Sequence, residues 1–342
     1  MTRALVTGIS GQDGSYLAER LLADGLEVHA LHHDVEAAPA YCPDDVALHP
    51  GDLTDLAGVR RLVLDLAPDE VYNLAAISSV AQSWEEPELT AAVNGTAAVA
   101  LMESAWQSQE ANGRPVRFVQ ASSAEIFGQP ATSPQDEQTP VRPVNPYGAA
   151  KAHAHRAAAT YRDRGLHVVS AILYNHESPR RPTRFVTRKI TSTVAAIAQG
   201  RADRLVLGNL EARRDWGWAP DYVDALVRAA RTDTAGDFVV ATGVGHSVRE
   251  FAATAFRHAG IPDWQRYVVS DAALVRPVDA VELRGDPSRA HQLLGWRPTV
   301  DFDTLVRLML AADLDGHPPP PPHPPPPADP PPAPEPPPAP HP

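Results

Sequence analysis

From the first residues to about Leu173 the chain alternates short apolar stretches with amphipathic ones, and few architectures can absorb that pattern. Strands are predicted at Ala4–Thr7, Glu27–Leu31, Val46–His49, Glu70–Leu74, Val116–Ala121 and Val168–Tyr174. Between them, Gln12–Ala23, Leu56–Leu66, Leu89–Gln107 and Tyr147–Arg164 carry helical periodicity. Strands that regularly alternate with helices pair in parallel, with the helices crossing over both faces. The expected class is therefore α/β, a doubly wound parallel sheet of Rossmann-like type, whose ligands sit outside the carboxyl ends of the strands.

Beyond Tyr174 the alternation becomes irregular. Helices are predicted near Val186–Gln199, Asp221–Arg231 and Val248–His258, and residues 175–316 are expected to form a smaller C-terminal substrate-binding lobe that interleaves with the sheet of residues 1–174. From His317 to Pro342 the chain is nearly all proline. Such a stretch cannot bury a core and reads as an extended or disordered tail, with docking to a proline-binding partner as its one specific possibility.

The formal charge of −12 argues against nucleic acid or an anionic membrane surface as partner. Any phosphate-bearing ligand must be held by a few local cations. A lone cysteine, Cys42, excludes an intrachain disulfide. The N-terminus enters a strand with no signal-peptide pattern, and no apolar run approaches the roughly 18 residues of a membrane span. A cytoplasmic location is expected.

The first strand runs into Thr7-Gly8-Ile9-Ser10-Gly11-Gln12-Asp13-Gly14. Glycines at this strand-to-helix turn let the backbone approach a pyrophosphate at the helix N-terminus. Their spacing, G-x-x-G-x-x-G, is the short-chain dehydrogenase variant of the dinucleotide fingerprint. Tyr147 and Lys151 make Y-x-x-x-K at a predicted helix start, on one helical face. A nearby ammonium is expected to lower the phenol pKa, so that the tyrosine takes a proton from a sugar hydroxyl as hydride leaves the same carbon. Ser122-Ser123-Ala124-Glu125 closes the preceding strand at the same edge. No metal-ligating residues are expected.

The segments Thr7–Leu22, Gly51–Asp55, Tyr72–Ala76, Gln120–Gly128, Pro146–Lys151, Asn175–Arg181, Phe185–Ile190, Leu207–Leu210, Arg214–Gly217 with Asp221–Val223, and Ser247–Phe251 resemble, in order, those of the GDP-mannose 4,6-dehydratases. N-H-E-S-P-R-R, then F-V-T-R-K-I, then G-N-L-x-A-x-R-D-W-G are the most diagnostic. The resemblance implies a lyase that oxidises C4 of a GDP-hexose, eliminates water across C5 and C6, and returns the hydride to C6, with NAD(P) recycled. It implies Tyr147 as base, Lys151 as its tuner, Ser123 on the C4 oxygen and Glu125 on the C5 proton. It further places Asp52, Leu53, Leu74, Ala75 and Ala76 at the cofactor, with Gly8, Ser10, Gly11, Gln12, Asp13 and Gly14. Asn175, Val186, Lys189, Asn209, Arg214, Arg276 and Asp279 are implied around the nucleotide sugar.

Several positions depart from the family. Leu31-His32-His33-Asp34 stands where an Arg-Arg pair is common, and Asp34 follows Gly14 by 20 residues. A carboxylate there prefers a free ribose 2′-hydroxyl, which favours NAD over NADP. The following loop is short, so a homodimer is expected, with a tetramer as the alternative. Ala124, Pro182-Thr183-Arg184 and Trp218 also differ, Trp218 either filling core or meeting substrate. Two other functions share the fold: a nucleotide-sugar epimerase, which has no need of Glu125, and a non-catalytic cofactor-binding scaffold.

Overall fold

In the computed structural model, which describes residues 2–33, 41–274 and 280–316, seven parallel strands form one sheet in the order β10-β6-β5-β4-β1-β2-β3. Asp34, Arg276, Asp279 and the 317–342 tail lie outside the described residues. The elements are β1 (Arg3–Thr7), α1 (Gln12–Ala23), β2 (Glu27–His32), β3 (Ala47–Pro50), α2 (Leu56–Leu66), β4 (Glu70–Asn73), α3 (Val80–Glu85), α4 (Pro87–Ala91), α5 (Ala97–Asn112), β5 (Arg117–Ala121), α6 (Pro146–Asp163) and β6 (His167–Leu173). Then follow β7 (Asn175–Glu177), α7 (Val186–Ala198), β8 (Leu205–Leu207), β9 (Arg213–Trp218), α8 (Ala219–Arg231), β10 (Asp237–Val240), β11 (Gly245–Ser247), α9 (Val248–His258), β12 (Val268–Ser270), β13 (Glu282–Leu283), α10 (Ser288–Leu294) and α11 (Phe302–Asp315).

Alternation along each central strand feeds two separate cores. In β1, Ala4 and Val6 join Leu17, Tyr222 and Phe238 on one face. Leu5 joins Val63, Leu101, Phe118 and Tyr161 on the other. Strand order reverses between β1 and β4, and the crevice that opens there faces the remaining elements. A third core, with Ile190, Trp216, Trp218, Phe251, Phe256, Leu305 and Met309, holds α7, α9 and α11 around β9. Strands β7, β11 and β13 pair with β9 in a small second sheet, while α8 and β10 return to the large one.

The continuous helix expected over Leu89–Gln107 is broken. It starts earlier, at Pro87, passes through a π-helical turn at Ala92–Thr96, and resumes as α5. Within that turn lies Asn94, whose buried amide accepts from Ile77 N at 2.8 Å and donates to Ile77 O at 3.0 Å. The wider turn lets that side chain hold the loop after β4, and π-bulges are frequently found at functional sites.

Candidate active site

The glycine-rich turn is shaped by close approaches. Gly8 has a φ of +82°, and a Cβ there would come within 2.8 Å of the Ala75 nitrogen; one on Gly14 would come within 2.1 Å of the Gly8 carbonyl oxygen. Side chains at either position would push apart β1, α1 and the loop after β4. No side chain caps the amino end of α1, whose N-cap is Gly11, and Ser10 and Gly11 are exposed. An open helix N-terminus behind a glycine cradle at the strand reversal fits a dinucleotide pyrophosphate. Leu74, Ala75 and Ala76 lie beside it after β4. Asp52 and Leu53 follow β3, with Asp52 Oδ1 accepting from Thr54 N at 2.7 Å. Those bonds to Thr54 hold the Asp52 carboxyl below its usual range.

A buried chain of hydrogen bonds runs along this edge. Thr7 donates to Asn73 at 2.7 Å, Asn73 to Gln120 at 2.8 Å, and Gln120 to the Ala121 carbonyl at 2.9 Å. Lys151 Nζ donates to that same carbonyl at 2.9 Å. The sheet edge and α6 are thereby fixed to one another. Ser123 and Glu125 lie just past β5, in a short 3-10 turn at Ala124–Phe127 for which Ser123 is the cap.

All four residues implied in catalysis meet here. Tyr147, in the first turn of α6, lies close enough to Ser123 and Glu125 for both to bear on its titration. The expected lowering of its phenol is not found: burial pushes it up to about 12, with Ser123 acting in the opposite sense. Lys151 stands 6.0 Å from the Tyr147 ring centroid. Burial also depresses its own charge, to about 8, with Asp13 acting in the opposite sense. Desolvation outweighs the pairing that the four-residue spacing suggested.

Gln12 and Asp13 turn toward the second lobe. Asp13 Oδ2 meets His176 Nε2 at 2.7 Å, and Gln12 donates to the His176 carbonyl at 3.1 Å and accepts from Ser178 at 2.8 Å. Arg180 reaches Ser15 at 3.0 Å and Glu19 at 2.6 Å, and lies over the Tyr16 ring. Much of the diagnostic N-H-E-S-P-R-R segment is thus a clamp on α1, which reading the sequence missed. Asn145 was also missed, although an Asn before Pro-Tyr is a recognisable helix cap.

Asn175 and Arg214 lie on neighbouring strands, β7 and β9. Arg214 is buried and donates to the carbonyls of Arg213 and Ala280 at 2.7 and 3.0 Å. Val186 and Lys189 occupy the first turn of α7. Asn209, exposed between β8 and β9, accepts from Glu211 N at 2.9 Å. Trp218, 3% exposed, belongs to the third core, which decides for the packing reading.

Fold and site together define an NAD(P)-dependent enzyme of the extended short-chain dehydrogenase/reductase class. The GDP-mannose 4,6 dehydratase family profile matches residues 5–309. The chain is 43% identical over 331 residues to GDP-mannose 4,6 dehydratase 1 of Arabidopsis thaliana, covering 91% of this chain and 90% of that protein. Among solved structures, it resembles the Thermus thermophilus UDP-glucose 4-epimerase in complex with NAD, with TM-score 0.79, 30% identity, and 91% and 99% of the two chains covered. It also resembles RMD from Pseudomonas aeruginosa complexed with NADPH, with TM-score 0.76, 26% identity, and 92% and 100% covered. The chain belongs to the GDP-mannose 4,6-dehydratase family.

Proposed function

We propose that this chain is a hydro-lyase that converts GDP-mannose, or a closely related GDP-hexose, to the GDP-4-keto-6-deoxy sugar. The observation that carries the reading is a carboxylate, Glu125, held at the start of the helix that bears Tyr147 and Lys151, where Asn145 Nδ2 donates to Glu125 Oε2 at 2.9 Å. An epimerase needs the tyrosine and lysine but has no use for an acid at C5. Family membership over most of the chain supports the same choice.

A bound nicotinamide supplies a hydride acceptor and donor. Tyr147 takes the proton of the C4 hydroxyl while Ser123 hydrogen-bonds the C4 oxygen. This needs the phenolate, so the burial that holds the phenol at about 12 in the protein alone has to be offset by the positive charge of an oxidised nicotinamide when the cofactor is bound. Glu125 then removes the C5 proton, made acidic by the neighbouring C4 ketone, and returns a proton to the departing C6 hydroxyl, which leaves as water. C6 then gains the hydride lost from C4, and C5 a proton, the one Tyr147 took from the C4 hydroxyl, which closes the balance. Lys151 orients Tyr147 and the nicotinamide ribose. Gly8, Ser10, Gly11 and Gly14 frame the pyrophosphate, and Asp52, Leu53, Leu74, Ala75 and Ala76 the remaining dinucleotide. Residues 175–316 bind the nucleotide sugar through Asn175, Val186, Lys189, Asn209, Arg214, Arg276 and Asp279.

The cofactor is NAD in preference to NADP, on the chemistry of Asp34. The enzyme works in the cytoplasm as a homodimer built on α5 and α6, beside which Trp84 and Leu89 are 50% and 43% exposed. Among the described residues no helix is long and apolar enough to cross a membrane. Incubating the protein with GDP-mannose should give a product lighter by one water, and Glu125→Gln should give none. GDP-mannose binding without loss of water, with either cofactor supplied, would refute the assignment.

A further inference from the structure

Asn145, the residue before α6, makes two bonds that point in different directions. Its Oδ1 accepts from Gly148 N at 2.7 Å, capping the helix that carries Tyr147 and Lys151. Its Nδ2 donates to Glu125 Oε2 at 2.9 Å. The residue is 6% exposed, so water competes poorly for either bond. Serine or aspartate would cap the helix about as well. An ionised aspartate, however, has no donor, and a serine hydroxyl must accept and donate at a single short-reaching oxygen; asparagine accepts from the helix and donates to a second partner from the two separate arms of one planar amide.

We propose that Asn145 is a positioning residue for the elimination step, tying one oxygen of Glu125 to the first turn of α6 and so fixing the carboxylate relative to Tyr147. This rests on the reading of Glu125 as the group that handles the C5 proton. A glutamate has three rotatable side-chain bonds, and a misplacement of about 1 Å in a catalytic group can cost roughly 10²-fold in rate. Lys151 is anchored separately, through the Ala121 carbonyl, and Tyr147 by its place in the first turn of α6. Loss of the Asn145 amide therefore disturbs the carboxylate and leaves the oxidising pair in place.

The test uses the cofactor-loaded enzyme with GDP-mannose. Asn145→Ser keeps a capping oxygen and withdraws the donor from Glu125, because its hydroxyl sits one bond closer to the backbone than Nδ2; Asn145→Asp keeps the cap and sets a second carboxylate against Glu125. Expected for Asn145→Ser is a fall in kcat of roughly 10- to 100-fold with KM little changed, and a further fall for Asn145→Asp. Because C4 oxidation continues, the near-ultraviolet absorbance of reduced nicotinamide should build up during turnover. The isotope effect from deuterium at C5 should rise as well. Unchanged kcat in Asn145→Ser would overturn the proposal, as would equal slowing of C4 oxidation and elimination with no change in the C5 isotope effect. Failure of the underlying reading looks different: Glu125→Gln would then still release water.

Discussion

Replacing His176 by glutamine tests whether the clamp between the glycine-rich turn and β7 is electrostatic. His176 Nε2 lies 2.7 Å from Asp13, its Nδ1 lies 2.7 Å from the Tyr174 carbonyl, and its ring stacks on Tyr222 with centroids 4.5 Å apart. Burial opposes both charges. Even so, His176 holds the Asp13 carboxyl below its ordinary 3.8, and Asp13 holds the His176 imidazole above its ordinary 6.5, with Arg181 opposing the imidazolium. The aspartate contribution to stability is present above 3.8 and lost as pH falls through its lowered folded value; the histidine contribution is present below 6.5 and lost as pH rises through its raised one. The clamp is thus worth most between those limits and fades on the alkaline side.

A net charge-assisted hydrogen bond is worth about 1.5–3 kcal/mol, and stranding one partner costs more. Glutamine can still donate to Asp13 but carries no charge and does not stack, so about 2–3 kcal/mol should be lost near pH 6. At roughly 2–4 °C per kcal/mol, that lowers the melting midpoint by about 4–12 °C. Melts of both proteins from pH 5 to 9 would show the gap narrowing as pH rises. A gap that stays constant with pH, or no gap, would refute the charged clamp.

Other residues give shorter tests. Asp215, fully buried, accepts from Thr242 N, Thr242 Oγ1, Gly243 N and Gly285 N. Asp215→Ala strands these donors at about 1–3 kcal/mol each, so urea titration should show a midpoint loss larger than that of His176→Gln. Gly14→Ala places a methyl 2.1 Å from the Gly8 carbonyl oxygen; fluorescence titration with reduced cofactor should show binding weakened at least tenfold, since α1 must move by about 1 Å. Truncation after Gly316 should leave turnover of GDP-mannose within about twofold, as measured by mass spectrometry, because a proline-rich run adds no core.

The large sheet was legible because its signals are local. β1, β2 and β4 to β6 are marked by apolar runs, and α1 and α2 fall on the residues expected from periodicity. The short strands β7, β9, β11 and β13 were not visible, since two to six residues such as Gly245–Ser247 become strands only by pairing with β9. The break in the Leu89–Gln107 helix was hidden for a related reason. Nothing near Asn94 in sequence says that its amide will leave the helix pattern to bind Ile77, 17 residues away. The Y-x-x-x-K motif gave the right neighbours and the wrong electrostatics, because spacing reports proximity while burial, which sets the Tyr147 phenol at about 12, depends on the whole fold.

That limit bears on how the family's signature should be read. Residues 176–180 were diagnostic of a GDP-sugar enzyme, yet His176, Ser178 and Arg180 spend their polar atoms on Gln12, Asp13, Ser15 and Glu19. The segment continues directly from Asn175, on the strand that pairs with the one bearing Arg214. A rigid joint at this place makes the position of β7, and with it the proposed sugar-binding surface, depend on the turn proposed to frame the dinucleotide. Hydride transfer from C4 and back to C6 requires both ligands to hold register through successive steps, and misalignment by about 1 Å is enough to cost roughly two orders of magnitude. A motif can therefore mark a substrate class by fixing the geometry between two binding surfaces rather than by touching the substrate.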